Sequence, residues 1–121
     1  MKTTRVLLVD DDPLFTRLVA EYLGLAGGYE IRVENDSLRA FPSARQFVPD
    51  VVLLDVVMPG RAGGQVALDF QDCPSLREIP IIFVSGQFPP KQEPAKDDYS
   101  YLAKPFALPA LETLIEDVLR G

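Results

Sequence analysis

The sequence contains no histidine and a single cysteine, Cys73, and these two shortages exclude whole classes of chemistry. Without histidine there is no Ser-His or Cys-His nucleophile pair, no phosphohistidine carrier, and no zinc site of the usual nitrogen-and-sulfur kind. One thiol cannot close an internal disulfide. Basic charge is also short: 12 Lys and Arg stand against 18 Asp and Glu, a net charge of −6. That balance offers no cationic footprint for a nucleic-acid backbone, so direct nucleic-acid binding is not expected. Long apolar runs are missing too. No stretch approaches the roughly 20 residues that cross a bilayer, and the four apolar residues before the acids of MKTTRVLLVDDD are too few for a signal peptide. No membrane association is expected, and the cytoplasm is the expected compartment.

What is present fits one soluble globular domain. Of the 121 residues 47% are hydrophobic and 25% charged, a balance typical of folded domains, and a chain of this size can bury a substantial core. Repeats, low-complexity tracts and linkers are lacking, so residues 1–121 read as a single domain. Five short apolar runs, RVLLV (5–9), YEIRV (29–33), VVLLD (51–55), IIFVS (81–85) and YSYLA (99–103), read as strands. Three of them are almost continuously apolar, as central parallel strands are when both faces are covered.

Helical patterns separate the strands. The first has Asp12 as N-cap, Pro13 at the first helical position and the stop Gly27-Gly28; the last runs through LPALETLIEDVLRG with an apolar face of Leu111, Leu114, Ile115, Val118 and Leu119. Between them, Pro42 either begins a short second helix or kinks a longer one, and Pro74 ends a third helix in GGQVALDFQDCP. The stretch GQFPPKQEPAKDD, with Pro89, Pro90 and Pro94, predicts a shortened helix or none between strands four and five. Alternating strands and helices imply an α/β doubly wound, flavodoxin-like fold with a five-stranded parallel sheet in the order 2-1-3-4-5.

Such sheets bind ligands beyond the carboxyl ends of their strands, and the polar residues gather there. Strand one ends in Asp10 and Asp11, strand three in Asp55, strand four in Ser85, and strand five runs directly into Lys104. With neighbouring strands about 4.8 Å apart, these five side chains can converge on one pocket. Three carboxylates together call for a cation, and Mg²⁺ suits an all-oxygen site completed by water and phosphate. Asp12, followed by Pro13, is better placed to cap the helix. A carboxylate such as Asp55 beside Mg²⁺ can act as nucleophile on a phosphoryl group, with Lys104 and Ser85 offering a cation and a hydroxyl to the phosphoryl oxygens.

The motifs VLLVDDDP, PDVVLLDVVMPG, IPIIFVSG and YLAKPF, in this order and spacing, resemble the receiver domain of bacterial two-component response regulators across the whole chain. The resemblance implies a phosphoacceptor switch in a phosphorelay, a regulatory domain and not an enzyme acting on other substrates. Asp55 would be the phosphoacceptor. Asp10, Asp11, Asp55 and the backbone carbonyl of Val57 would hold Mg²⁺ or Mn²⁺. Lys104 would pair with the phosphoryl group or with Asp55, Ser85 would be the switch hydroxyl and Tyr101 the switch aromatic. Lys104-Pro105 resembles the family's cis peptide, and Gly63 its loop glycine.

The implied partners are a histidine kinase or histidine phosphotransfer protein upstream, and a downstream protein or output domain of unknown identity. Val57 is apolar where some relatives carry a side chain that orients the attacking water, which implies a long-lived phosphoaspartate. A phosphatase of the haloacid dehalogenase type would need an acid at position 57 and is excluded. The rival reading is a degenerate receiver that binds partners without being phosphorylated.

Overall fold

The fold is that of a computed structural model, which describes residues 3–86 and 99–120. Five strands, β1 (Thr4–Val9), β2 (Tyr29–Glu34), β3 (Val51–Asp55), β4 (Ile81–Ser85) and β5 (Ser100–Ala103), form one parallel sheet in the order β2-β1-β3-β4-β5. Four α-helices are found among the described residues: α1 (Pro13–Ala26), α2 (Ala40–Phe47), α3 (Gly63–Gln71) and α4 (Leu108–Arg120). The expected doubly wound architecture and strand order are those observed. The segment for which a shortened or absent helix was expected, residues 87–98, lies outside the described residues. Among the described residues no helix is long and apolar enough to cross a membrane.

The unbroken apolar runs are explained by two cores. Because successive side chains of a strand point to opposite faces, Leu7, Val9, Val52, Leu54 and Phe83 pack with α2 and α3 through Ala44, Phe47, Val66 and Phe70. Their neighbours Val6, Leu8, Leu53, Ile82 and Val84 pack on the other face with Val19 and Leu23 of α1 and Leu111 and Ile115 of α4. Every residue of β3 and β4 is buried, and each such aliphatic side chain contributes about 1.5–3 kcal/mol relative to exposure.

Helix boundaries follow local chemistry. The Asp12 carboxylate accepts hydrogen bonds from the Leu14 and Phe15 amides at 3.1 and 3.3 Å, and Pro13 occupies the first turn, where a missing N–H costs nothing. Pro42 proves compatible with a short helix for the same reason. It is the third residue of α2, which follows a 3-10 turn at Ser37–Arg39, so its ring meets no helical hydrogen bond. Helix α2 ends at Val48 in the left-handed region, φ 50°, a conformation a β-branched residue rarely takes.

At the start of α3 the chain passes very close to the end of β3. The Gly63 amide donates to the Val56 carbonyl at 2.9 Å, and a Cβ on Gly63 would lie 2.2 Å from the Asp55 carbonyl oxygen. Glycine is required by this close approach, not by its own torsion angles. Gly63→Ala is therefore expected to destabilise the domain by about 2–4 kcal/mol, read as a lower urea midpoint, whereas Gly64→Ala, with no atom near its added Cβ, is expected to change it by under about 1 kcal/mol.

Candidate functional site

The parallel ladders bring the acidic strand ends together. Val9 pairs with Leu54, so the next residues, Asp10 and Asp55, leave the sheet side by side. Asp55 pairs with Val84, which sets Ser85 one step beyond, and the Lys104 amide donates to the Ser85 carbonyl at 2.7 Å. Asp10, Asp55 and Ser85 are buried at 3%, 8% and 2% exposure, whereas Asp11 faces solvent. One carboxylate oxygen from each of Asp10, Asp11 and Asp55 lies within 4.8 Å of the others. Five of the strand-end residues singled out from the sequence thus share one edge of the sheet.

The electrostatics of this notch are unfavourable for a second negative charge. Burial pushes the Asp55 carboxyl up from 3.8 to about 6, and the neighbouring charge of Asp10 adds to the rise. Lys104 and the Val57 amide, which donates to Asp55 Oδ1 at 3.4 Å, offset part of it. The Lys104 ammonium itself donates to Asp10 Oδ2 at 2.7 Å and sits 4.1 Å from the centroid of the Phe15 ring, so a carboxylate and an aromatic face hold it together. It reaches this place just before the cis Lys104-Pro105 peptide.

A divalent cation fits the donor set. Three hard carboxylate oxygens, two of them on buried residues and one of these paired with the Lys104 ammonium, match the preference of Mg²⁺ for oxygen ligands and for sites shared with phosphate. The two remaining expected residues are also accounted for. Val57 adjoins the Asp55 carboxylate through its amide, and its side chain is exposed. Tyr101 lies on β5 with its ring stacked on Phe83, centroids 5.5 Å apart.

Two polar residues that no sequence motif singles out support the notch from below. The Asn35 side-chain amide donates to the Asp10 carbonyl at 2.8 Å and to Thr16 Oγ1 at 3.0 Å. Ser37 Oγ donates to the Pro59 carbonyl at 2.6 Å and accepts from the Arg61 amide at 2.9 Å. In sequence both read as ordinary turn residues, since their partners, most of them backbone atoms, lie far along the chain. Arg61 is held in turn by a two-pronged ion pair with Asp69 of α3, both contacts at 2.7 Å.

Comparison with known proteins agrees with this arrangement. Residues 6–116 match the response regulator receiver domain family. The polar-differentiation response regulator DivK of Brucella ovis is 30% identical over 97% of this chain and 97% of its own length. The response regulator PleD of Caulobacter vibrioides is 36% identical over 69% of this chain, which spans only 18% of PleD. Among solved structures, the chemotaxis response regulator CheY4 of Vibrio cholerae superposes with a TM-score of 0.86 at 27% identity, covering 97% of this chain and 99% of CheY4. A family match across most of the chain, on a fold that gathers its acids at one sheet edge, has one consequence: the chain belongs to the response regulator receiver domain family of two-component signalling.

Proposed function

We propose that this domain accepts a phosphoryl group onto Asp55 from a phosphohistidine carried by a histidine kinase or phosphotransfer protein, and thereby changes the surface it offers to a downstream partner. The observation that carries this reading is the gathering of Asp10, Asp11 and Asp55 within 4.8 Å, with a lysine ammonium 2.7 Å from Asp10. In the transfer, an Asp55 carboxylate oxygen forms the new bond to phosphorus as the bond to the donor imidazole nitrogen breaks. The imidazole leaves with the electron pair and is protonated from solvent. Asp10, Asp11, Asp55 and the Val57 carbonyl would hold Mg²⁺ or Mn²⁺, which would supply positive charge to offset the carboxylates and the incoming phosphoryl oxygens.

The chain's own groups do the rest. The ladder between β1 and β3 fixes the attacking carboxylate, and alignment of this kind is the main contribution a protein makes to a loose phosphoryl transfer. The Lys104 ammonium, at the end of a long side chain, turns from Asp10 to the phosphoryl oxygens. Ser85, beside it on the sheet edge, donates its hydroxyl to another of them. Movement of Ser85 then biases the Tyr101 ring, the change read by the partner. Exposed Leu14 and Val57, at 75% and 64% exposure, give the notch an apolar rim suited to a docking protein. On this reading the domain acts in the cytoplasm as a regulatory switch, with residues 1–121 as one unit.

The raised Asp55 carboxyl links stability to pH. Because the folded state holds this proton more tightly than the unfolded state does, its stabilising effect is complete below about 3.8 and is lost as pH rises through about 6. At pH 8 without metal the ionised carboxylate is expected to cost up to about 3 kcal/mol. Asp55→Asn should therefore melt above the wild type at pH 8, and the gap should shrink on acidification toward pH 4. Added Mg²⁺ should raise the wild-type melting temperature more than that of the variant. A gap independent of both pH and metal would contradict this origin.

Phosphorylation is tested by incubation with a small phosphodonor and Mg²⁺, read by intact mass. A gain of one phosphoryl group that requires the metal and is lost in Asp55→Asn is expected, with Lys104→Ala slowed by roughly tenfold or more. Absence of any gain would favour a binding module that works unphosphorylated. The apolar side chain at Val57 predicts slow hydrolysis of the phosphoaspartate; Val57→Asn is expected to lose the group faster, and equal or slower loss would count against the idea.

A further inference from the structure

The segment between β2 and α2 touches both loops that carry the acidic notch. Asn35 reaches the loop after β1: its amide donates to the Asp10 carbonyl at 2.8 Å and to Thr16 Oγ1 at 3.0 Å, tying the acidic loop to the first turn of α1. Within that loop the Asp12 amide donates to Asp10 Oδ1 at 3.0 Å, so the position of the loop backbone sets the Asp10 carboxylate. Two residues later, Ser37 reaches the loop after β3. Its hydroxyl sits inside the Pro59-Gly60-Arg61 turn, donating to the first carbonyl at 2.6 Å and accepting from the last amide at 2.9 Å.

This turn is built around the hydroxyl. Gly60 has φ 86°, and a Cβ there would lie 3.0 Å from Ser37 Oγ and 3.2 Å from Leu38 Cγ, so only glycine lets the backbone wrap so closely. Ser37 is 3% exposed, which makes the Pro59 carbonyl and Arg61 amide expensive to leave unpaired. The segment is itself braced. Asp36 caps the 3-10 turn by accepting from the Leu38 amide at 3.0 Å, and its own amide donates to Glu34 Oε2 at 3.1 Å.

We propose that Asn35 and Ser37 are positioning residues for the divalent-cation site: one short segment holds the Asp10–Asp11 loop with its first residue and the loop beyond Asp55 with its third. Their joint hold sets the separation of the carboxylates that the cation must bridge. The inference rests on the reading of Asp10, Asp11 and Asp55 as a Mg²⁺ site. Outer supports of this kind act through the ligands, and their loss typically weakens a metal site by 10-fold or more.

The test is calorimetric titration of the metal-free full chain with MgCl₂, comparing wild type, Asn35→Ala, Ser37→Ala and the double variant. Thr113→Ala is the control. It removes a 3.0 Å hydrogen bond to the Pro109 carbonyl within α4 and touches neither loop. Each single variant is expected to bind Mg²⁺ about tenfold more weakly than wild type, with Thr113→Ala within about twofold. Amide hydrogen exchange of the metal-free proteins supplies a second readout: faster exchange at Arg61 in Ser37→Ala and at Asp12 in Asn35→Ala. Should Ser37→Ala not fold, Asn35→Ala carries the same test through the other loop. Wild-type protein that binds no Mg²⁺ would overturn the functional reading itself. Wild type that binds while both variants match it, or while Thr113→Ala is weakened equally, would overturn the positioning role and leave that reading standing.

Discussion

Repulsion between two carboxylates forced to share one edge of a sheet is the constraint around which the domain is organised. Asp10 and Asp55 stand next to each other because the β1–β3 ladder continues one residue past Val9 and Leu54. Both are nearly inaccessible to water, so neither can disperse its charge into solvent. Everything nearby responds to that crowding. The Asp55 carboxyl keeps its proton to unusually high pH, Lys104 leans on Asp10, and the Val57 amide points at Asp55.

The scaffold tolerates this arrangement because it is rigid elsewhere. Two apolar layers clamp the sheet from both faces, leaving the strand ends no freedom to splay. Asp12 is spared from the crowding by its work at the start of α1, where the helix N-terminus welcomes negative charge. The loop after β3 is closed by Gly63 against the Asp55 backbone and tied to α3 by the Arg61–Asp69 ion pair. A charged group arriving at the notch therefore meets a preset frame, which is what favours stabilisation of charge over rearrangement.

Much of this was legible in the residues. The central strands announce themselves by unbroken apolar runs, α1 by Asp12-Pro13 at one end and Gly27-Gly28 at the other, and the notch by acids and a lysine placed at strand ends. Pro42 left two readings open because proline marks the first turn of a helix without saying how many residues precede it. Asn35 and Ser37 were not legible, since each bonds to carbonyls or amides far along the chain and backbone atoms carry no sequence signature. The ammonium's place between Asp10 and Phe15 was likewise hidden, because it depends on where a long side chain settles once α1 has packed.

The alternation that divides the strand side chains between two cores also governs how the domain could change over generations. A single residue inserted into β1 would send Leu7 and Val9 to the layer of α1 and α4, exchange Val6 and Leu8 with them, and rotate the following aspartate out of line with Asp55. Packing and charge placement would fail in one stroke. Insertions would be tolerated only in the connections, while the strands that aim the acids are locked in phase with the sheet.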